Sequence, residues 1–385
     1  MKIGVVTESD ASDPRSWSGT HYFASKALGD HVGEVMFLGP IQPFSVLFNR
    51  VGSRARKFFN IKDILTKQSI KVARDNARII RKLIRREEPD ILFAPAGSAL
   101  VACLETELPI LYSSDATAQL MFEYYPEFSK ISTRSIRQAD ELERRSIARA
   151  DALIYPTNWA AQSAIEHYQA DPKKVHVIPF GANFQNVPDR ERALTPRPGP
   201  ALKLLFVGVN WDRKGGTIAV AALRELLAKG MNAELTVVGC IPPETVDRDQ
   251  ITIIPFLDKN DSAQAKKLSS LYLKSDFLIL PTRNECYGIA FCEAAAHGVP
   301  SIATATGGVP DVIRDGVTGF VLPAEAGGKE YADRIITTIA DKEHLATLRK
   351  NARDDYEKRL NWEVWASRMK PIVDEVLAKY QRRTA

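Results

Sequence analysis

The stretch RNECYGIAFCEAAAHG, residues 283–298, carries two glutamates on either side of a short apolar segment. Glu285 lies on a loop after a predicted strand, and a helix is predicted to begin near Tyr287 or Gly288. The N-terminus of a helix offers unpaired N–H groups and a partial positive charge, which suit a diphosphate. Gly288 has no side chain to block close approach. The backbone amides that would meet phosphate oxygens are those of Gly288, Ile289 and Ala290.

The second acid, Glu293, lies about one and a half turns further along this helix. A carboxylate that accepts two hydroxyl protons is the usual way to hold a ribose, so this position suits a nucleotide. The residues leave another interpretation open for both acids. Glu285 would then cap the helix, and Glu293 would be a solvated helix residue.

Positive charge for a phosphate comes from the stretch FVGVNWDRKGG. Lys214, with Arg213 beside it, follows a predicted strand on a glycine-bearing loop, where a cation neutralises a leaving diphosphate. An exposed basic turn explains the same residues. In IPFLDK, Phe256 and Leu257 offer an apolar wall for a nucleotide base, and the end of a core strand is the alternative.

Length and composition limit the classes of protein that fit. A chain of 385 residues exceeds the usual limit of one core, and 45% hydrophobic residues are enough to fill two. The net charge of +5 permits an anionic ligand, and no nucleic-acid module is present. The start MKIGVVTESD is unlike a signal peptide, and we expect a cytoplasmic protein. Four cysteines without paired metal-ligand spacing indicate reduced thiols: Cys103, Cys240, Cys286 and Cys292.

Apolar runs of strand length alternate with amphipathic helical stretches, a pattern typical of parallel sheets with helices on both faces. The first series is KIGVVT, EVMFLG, DILFAP, PILYSS, ALIYPT and VHVIPF, and the second is KLLFVGV, AELTVVG, ITIIPF, DFLILP, PSIATA and GFVLP. We therefore predict an α/β protein with two doubly wound, Rossmann-like domains, residues 1–183 and 200–361, facing a cleft. Residues 184–199 form a linker, and a C-terminal helix, about 362–385, crosses back to the first domain.

The paired glutamates and the following EAAAHGVPSIATATGGVPDVIRDGVTGFVLP closely resemble the signature of retaining glycosyltransferases of family 4, which have the GT-B fold. Earlier parts of the chain also occur in the order and near the spacing that family shows: RADALIYPTNWAAQSAI, KVHVIPFGAN, LLFVGVNWDRKGG and YLKSDFLILPTRNE. The resemblance implies that Glu293 binds the donor ribose, that the amides of Gly288 to Ala290 hold phosphate, and that Glu285 faces the transferred sugar. Tyr287 is expected among the donor-binding residues beside these amides. Gly307 and Gly308 would form the turn after the next strand.

The first half departs from the family pattern at two places. In SWSGTHYFASKAL, family members often have a glycine pair near the donor diphosphate, and this chain has only Gly19; a plain helix start is the alternative. In PILYSSDATAQ, relatives often carry a histidine at or next to Asp115. This difference implies another contact to sugar or acceptor, with an N-cap as the alternative. The acceptor is expected between these loops, near Ser18, Thr20 and His21, although a first-turn role for His21 is preferred.

A third departure concerns the positive charges. The family usually has an arginine where this chain has Val209, and Arg213 is expected to take over that role. The sequence DRD, 247–249, lies in the polar loop PPETVDRDQ and has no other acids positioned to complete a site, so it is rejected as a metal motif. With Lys214 and Arg213 on the diphosphate, no metal cofactor is expected.

The resemblance implies transfer of a sugar from a nucleotide-diphosphate sugar by a front-face route, with Glu285, Lys214 and Asp115 at the reacting centre. A nucleotide-sugar epimerase and a non-catalytic nucleotide-sugar-binding protein are the alternatives. The acceptor is a glycan, a lipid-linked sugar or a small molecule. Residues 43–67, PFSVLFNRVGSRARKFFNIKDILTK, interleave phenylalanines with cations, which indicates either peripheral contact with an anionic membrane or an amphipathic helix with a solvated basic face.

Overall fold

The structure is a computed structural model that describes residues 1–43, 65, 67–125, 128, 131–197, 199–243 and 249–384. The chain forms two compact units. The first consists of Met1–Pro179 and Trp365–Ala385, and the second of Phe180–Val364.

The first unit contains a parallel six-stranded sheet. Its strands are β1 (Lys2–Val5), β2 (Glu34–Phe37), β3 (Ile91–Pro95), β4 (Ile110–Ser113), β5 (Ala152–Tyr155) and β6 (Val175–Val177). They pair in the order β2-β1-β3-β4-β5-β6. The three strands β3, β4 and β5 are buried along their whole length, because helices cover both faces and leave no polar side to alternate with.

Several helices of the first unit begin at a residue whose side chain caps them. The described helices are α1 (Thr20–His31), α2 (Ile70–Glu87), α3 (Ser98–Val101), α4 (Ala118–Tyr124), α5 (Thr133–Arg149) and α6 (Asn158–Glu166). The side chains of Ser69, Ser132 and Thr157 each accept a first-turn N–H at the starts of α2, α5 and α6. Such caps satisfy donors that have no partner within the helix.

The second unit repeats this architecture. Its strands are β7 (Leu202–Val207), β8 (Ala233–Val238), β9 (Ile251–Ile254), β10 (Phe277–Leu280), β11 (Ser301–Thr304) and β12 (Gly319–Leu322), in the order β12-β11-β10-β7-β8-β9. Its helices are α7 (Arg190–Leu194), α8 (Gly216–Ala228), α9 (Ser262–Lys274), α10 (Ile289–Ala296), α11 (Val309–Val312), α12 (Gly328–Ala340) and α13 (Lys342–Lys358). All pairings in the sheet are parallel.

The last helix, α14 (Trp362–Thr384), returns the chain to the first unit. The Trp365 ring lies edge-on to Phe93 of β3, with 6.0 Å between centroids, and both side chains are buried. All twelve predicted apolar runs form strands. The prediction of an α/β protein with two parallel sheets and a C-terminal helix that returns to the first unit is confirmed. Residues 184–199, expected to be a linker, contain α7. The exact domain boundaries stay a prediction.

Among the described residues, no helix combines the length and the apolar character needed to cross a membrane.

Candidate functional site

The topology of the second sheet brings two of the predicted loops together. From β7 the chain continues to β8 and β9, and then returns to β10 on the other side of β7. The loops after β7 and β10 therefore flank the point where the strand order reverses, which is where ligands of open α/β sheets bind. The first loop carries Arg213 and Lys214, and the second carries Glu285.

Across these loops, Lys214, Arg213 and Glu285 form a charged cluster in which Lys214 and Glu285 are buried and Arg213 is half-buried. Lys214 Nζ contacts Glu285 Oε2, and Arg213 Nη1 lies 3.9 Å from the same oxygen. The side chains of Lys214 and Glu285 are only 11% and 10% exposed. Two cations around one carboxylate leave a net positive charge where water screens weakly, so the cluster suits a second anion.

Local backbone geometry holds the two cations in place. Arg213 donates from Nη1 to the carbonyl of Asn284 at 3.1 Å, which joins the two loops a second time. A Cβ on Gly208 would lie 2.8 Å from Lys214 Cγ, so only glycine lets the lysine stem pack there. Gly215 has φ +74°, and a Cβ would collide with the carbonyl oxygen of Pro281.

Helix α10 begins directly beside this cluster. Gly288 has φ +89° and precedes Ile289, the first helical residue, so the predicted start is confirmed. Gly288 occupies the N-cap position, so Glu285 is not the N-cap residue of this helix. Ile289 and Ala290 occupy the first turn, where N–H groups have no acceptor within the helix. The backbone oxygen of Glu285 accepts from Gly308 N at 3.2 Å, so the two-glycine turn after β11 closes the same loop.

The neighbouring side chain of Tyr287 forms a hydrogen bond within the second unit. Its hydroxyl donates to the carbonyl of Phe180 at 2.6 Å, and the residue is 3% exposed. Burial raises the pKa of Tyr287 well above its usual value, so the hydroxyl stays a donor. Only the backbone of Tyr287 remains for the donor contact predicted there.

Glu293 is buried, with 3% of its surface exposed, so the interpretation of a solvated helix residue is wrong. Lys259 Nζ lies 2.6 Å from Oε1, and the Tyr272 hydroxyl donates to Oε2 at 3.2 Å. Burial, reinforced by the Glu293 carboxylate, raises the pKa of Tyr272 well above its usual value. Each carboxylate oxygen has further lone pairs for other hydroxyl donors.

Sequence reasoning missed Lys259 and Tyr272 as partners of Glu293. Lys259 lies in IPFLDK and Tyr272 in YLKSDFLILP, two stretches quoted above for other reasons. No local pattern indicates that Lys259 bonds to Glu293, which is 34 residues away. Lys259 anchors the loop after β9 that also carries Phe256, which is 62% exposed, and the half-buried Leu257. The structure thereby places the predicted base-binding loop next to Glu293.

The predicted residues of the first unit lie at the carboxyl edge of its own sheet. Trp17, Ser18 and Gly19 have φ of 48°, 57° and 96°, and α1 begins at Thr20. A left-handed conformation at two non-glycine residues costs on the order of 1 kcal/mol each. His21 is buried in α1 and its Nδ1 lies 3.2 Å from Ser9 Oγ. Burial lowers the pKa of His21 to about 4, although a hydrogen bond with the Pro95 backbone opposes the shift.

Asp115 follows β4, two strands from β1 on the same edge, and it is half-buried. The interpretation of Asp115 as an N-cap is wrong. Thr117 occupies the N-cap of α4, and its Oγ1 accepts from Leu120 N at 3.5 Å.

Within the described ranges, no three His, Cys, Asp or Glu side chains are grouped so as to hold a metal ion. Asp247 and Arg248 of the rejected DRD sequence lie outside the described residues, as do 44–64 and 66 of the segment 43–67.

Two family models match most of the chain. Residues 34–186 match the model of glycosyltransferase family 4, and residues 201–341 match that of glycosyl transferases group 1. The D-inositol 3-phosphate glycosyltransferase of Corynebacterium kroppenstedtii is 27% identical over 256 residues, which cover 62% of this chain and 56% of that protein. The chain thus spans little more than half of the length of the curated relatives it matches.

Solved structures with low sequence identity share the fold. Sucrose-phosphate synthase from Thermosynechococcus elongatus superposes with a TM-score of 0.69 at 18% identity, covering 98% of this chain and 100% of that one. Anabaena HepE in complex with UDP gives 0.66 at 15% identity, covering 97% and 100%. The chain therefore has the GT-B fold and consists of a glycosyltransferase family 4 domain followed by a glycosyl transferases group 1 domain.

Proposed function

We propose that this protein is a retaining glycosyltransferase that moves a sugar from a nucleoside-diphosphate sugar to an acceptor hydroxyl. The observation that carries the proposal is the buried cluster of Lys214, Arg213 and Glu285 beside the start of α10. Its net positive charge adds to the partial positive charge of the helix N-terminus. Together they suit a diphosphate whose negative charge grows as it leaves the sugar.

In this proposal the second domain binds the donor. Lys214, Arg213 and the amides of Ile289 and Ala290 neutralise the diphosphate. Glu293 accepts protons from the ribose hydroxyls, while Lys259 and Tyr272 hold its carboxylate in place. The exposed Phe256 and the neighbouring Leu257 form an apolar wall for the base.

The chemical step exchanges one bond at the anomeric carbon for another on the same face. The bond from the anomeric carbon to the phosphate oxygen breaks, the acceptor oxygen forms the new bond, and its proton passes to the leaving phosphate. Glu285 orients the sugar and stabilises the positive charge that develops on it, without acting as a nucleophile. The protein contributes position and electrostatic stabilisation.

The donor is identified first by binding. We expect one of the UDP, GDP, ADP and TDP sugars to raise the apparent melting temperature, since a ligand that binds the folded state stabilises it. UDP is the first candidate because Anabaena HepE was solved with it. A polyol phosphate is the first acceptor to test, because relatives are named for D-inositol 3-phosphate.

Product analysis then separates the proposed activity from its alternatives. NMR spectra of the stabilising donor, recorded with and without acceptor, should show a glycoside with the donor's anomeric configuration only when acceptor is present. Isomerised donor sugar without acceptor would indicate an epimerase. Binding with neither product across the acceptor classes would indicate a non-catalytic binding protein.

We also propose that transfer needs no metal, because the phosphate charge is assigned to Lys214, Arg213 and helix amides. Initial rates should be unchanged in EDTA. The measurement compares untreated enzyme, enzyme in EDTA, and enzyme with magnesium or manganese added back. Complete loss in EDTA, restored by either cation, would overturn the assignment.

The acceptor is assigned to the first domain, near Ser18, Thr20, His21 and Asp115. Asp115→Ala should therefore slow transfer by more than it weakens nucleotide binding, measured by kcat/KM for acceptor and by titration calorimetry with the nucleotide. Asp171→Ala, which precedes β6 at the opposite edge of the same sheet, is the control. An equal effect of both variants on transfer would remove Asp115 from the site.

A further inference from the structure

Helix α2 (Ile70–Glu87) carries a line of cations along its outer face, which we call the basic stripe. The basic stripe consists of Lys71, Arg74, Arg78, Lys82 and Arg85, all exposed. Steps of three and four residues keep them on one face of the helix. The opposite face packs into the core through Val72, Ala73, Ala77 and Ile80.

A second helix widens this charged surface. Arg134 and Arg137 of α5 (Thr133–Arg149) are exposed and share with the start of the stripe an open groove of about 790 Å³. The backbone N–H of Ile70 donates to Gln138 Oε1 at 3.2 Å, which fixes the start of α2 against α5. Both helices bury one face in the first unit, and this packing holds the cations of the two helices side by side.

Most of these cations have no acidic partner. Arg78 bonds to Asp75 at 2.7 Å, but within the described part of the chain no carboxylate forms an ion pair with Lys71, Arg74, Arg134 or Arg137. Of the two acids that line the groove, Asp75 is held by Arg78 and Glu141 by Arg145. Other exposed lysines of the first unit do form ion pairs, such as Lys26 with Asp30 and Lys370 with Asp374. The described residues of the groove therefore carry a net positive charge.

We propose that the basic stripe and its groove dock the protein on a membrane surface of anionic phospholipid. The stripe spans about 21 Å from Lys71 to Arg85, at 1.5 Å per residue, which is longer than a compact phosphate ligand. All of its cations are exposed, whereas a small-anion site buries its donors, as the second unit does with Lys214. Extended, flexible cations match the diffuse negative charge of many headgroups.

The chemistry of the groove also favours a bilayer over a nucleic acid. Among the residues that the structure describes, no aromatic side chain lines the groove, so these residues offer no rings on which bases stack. In the chain, the stripe follows the segment PFSVLFNRVGSRARKFFNIKDILTK, which is rich in phenylalanine and cations. Apolar residues beside basic ones are typical of surfaces that lie on membranes. The inference does not depend on sugar transfer, because docking needs no donor.

The test is co-sedimentation of the full chain with vesicles. The parent should bind phosphatidylglycerol vesicles and not pure phosphatidylcholine vesicles, and the binding should weaken as salt rises. Arg74→Glu combined with Arg137→Glu should lower the affinity at least about tenfold. Lys266→Glu with Lys267→Glu, on the exposed face of α9 in the other unit, is the matched control and should bind like the parent.

Each contrary outcome overturns the proposal. A parent that does not bind phosphatidylglycerol vesicles would do so, as would a stripe variant that binds them like the parent. If replacing Arg54, Arg56 and Lys57 abolishes binding while the stripe variant binds normally, the docking surface lies in residues 43–67. A duplex oligonucleotide that binds more tightly than vesicles, and is lost in the stripe variant, would assign the stripe to nucleic acid.

Discussion

Lys214→Met is expected to abolish sugar transfer and to lower the free energy of unfolding by about 3–5 kcal/mol. The loss of stability follows because the Glu285 side chain is only 10% exposed and would lose its contact with the Lys214 ammonium, while Arg213 lies farther away at 3.9 Å. The loss of activity follows because the strongest charge assigned to the diphosphate disappears. Urea denaturation gives the first quantity and single-turnover rates give the second.

A double variant separates the two effects. Lys214→Met with Glu285→Leu removes both charges, and replacing a buried ion pair by apolar residues of similar volume is often neutral or stabilising. Stability should return to near that of the parent while transfer stays absent. Recovery of transfer together with stability would show that the pair is structural.

An exposed ion pair of the same unit provides the control. Lys229 and Asp333 are 43% and 40% exposed, so water screens their attraction. Lys229→Met should cost less than about 1 kcal/mol and leave the rate unchanged. If Lys229→Met lowered the free energy of unfolding as much as Lys214→Met does, the loss in Lys214→Met could not be attributed to the burial of its ion pair.

Glu293→Ala is expected to weaken nucleotide binding by about 1.5–3 kcal/mol, since charge-assisted bonds to the ribose are lost. This corresponds to roughly 10-fold to 150-fold in Kd. Glu285→Ala should instead mainly lower turnover, because its carboxylate is assigned to the reacting sugar. Equal and small effects of the two changes on binding and rate would show that both glutamates are structural.

The ribose contact has a sharper test than loss of affinity alone. Titration calorimetry should show that the parent prefers the ribonucleotide over its 2′-deoxy and 3′-deoxy analogues, and that Glu293→Ala binds all three alike. A variant that is merely destabilised would keep the parent's preference. Continued discrimination in folded Glu293→Ala would therefore remove this residue from the ribose site.

Lys259 extends the same experiment to the residue that holds the carboxylate. Lys259→Met should reduce the preference for the ribonucleotide in part, because Tyr272 still bonds to Oε2. Lys259→Arg should restore the preference, since a guanidinium also donates to Oε1. A preference unaffected by Lys259→Met would show that Tyr272 alone positions Glu293.

Three alternative interpretations of single residues were wrong, because each was based only on neighbouring residues. Glu285 and Asp115 each precede a helix and carry a carboxylate that can accept N–H groups, but Gly288 and Thr117 occupy the N-cap positions. Which residue caps depends on where the backbone turns into the helix, and a shift of two or three positions is not visible in composition. Glu293 was compatible with a solvated position because periodicity does not show which polar residue is buried with a partner.

Neighbouring residues alone were enough to predict the two parallel sheets and the start of α10. Strands that are covered on both faces need continuous apolar runs, and a glycine before a helix is a local signal, so both features can be read from neighbouring residues. The charge pairs of the site, in contrast, form through tertiary contacts. Lys214 meets Glu285 across 71 residues because β7 and β10 are neighbours in the sheet, and Lys259 meets Glu293 across 34 because the loop after β9 reaches α10. Such pairs depend on strand order and side-chain packing, to which distant parts of the chain contribute, and local periodicity carries no record of them.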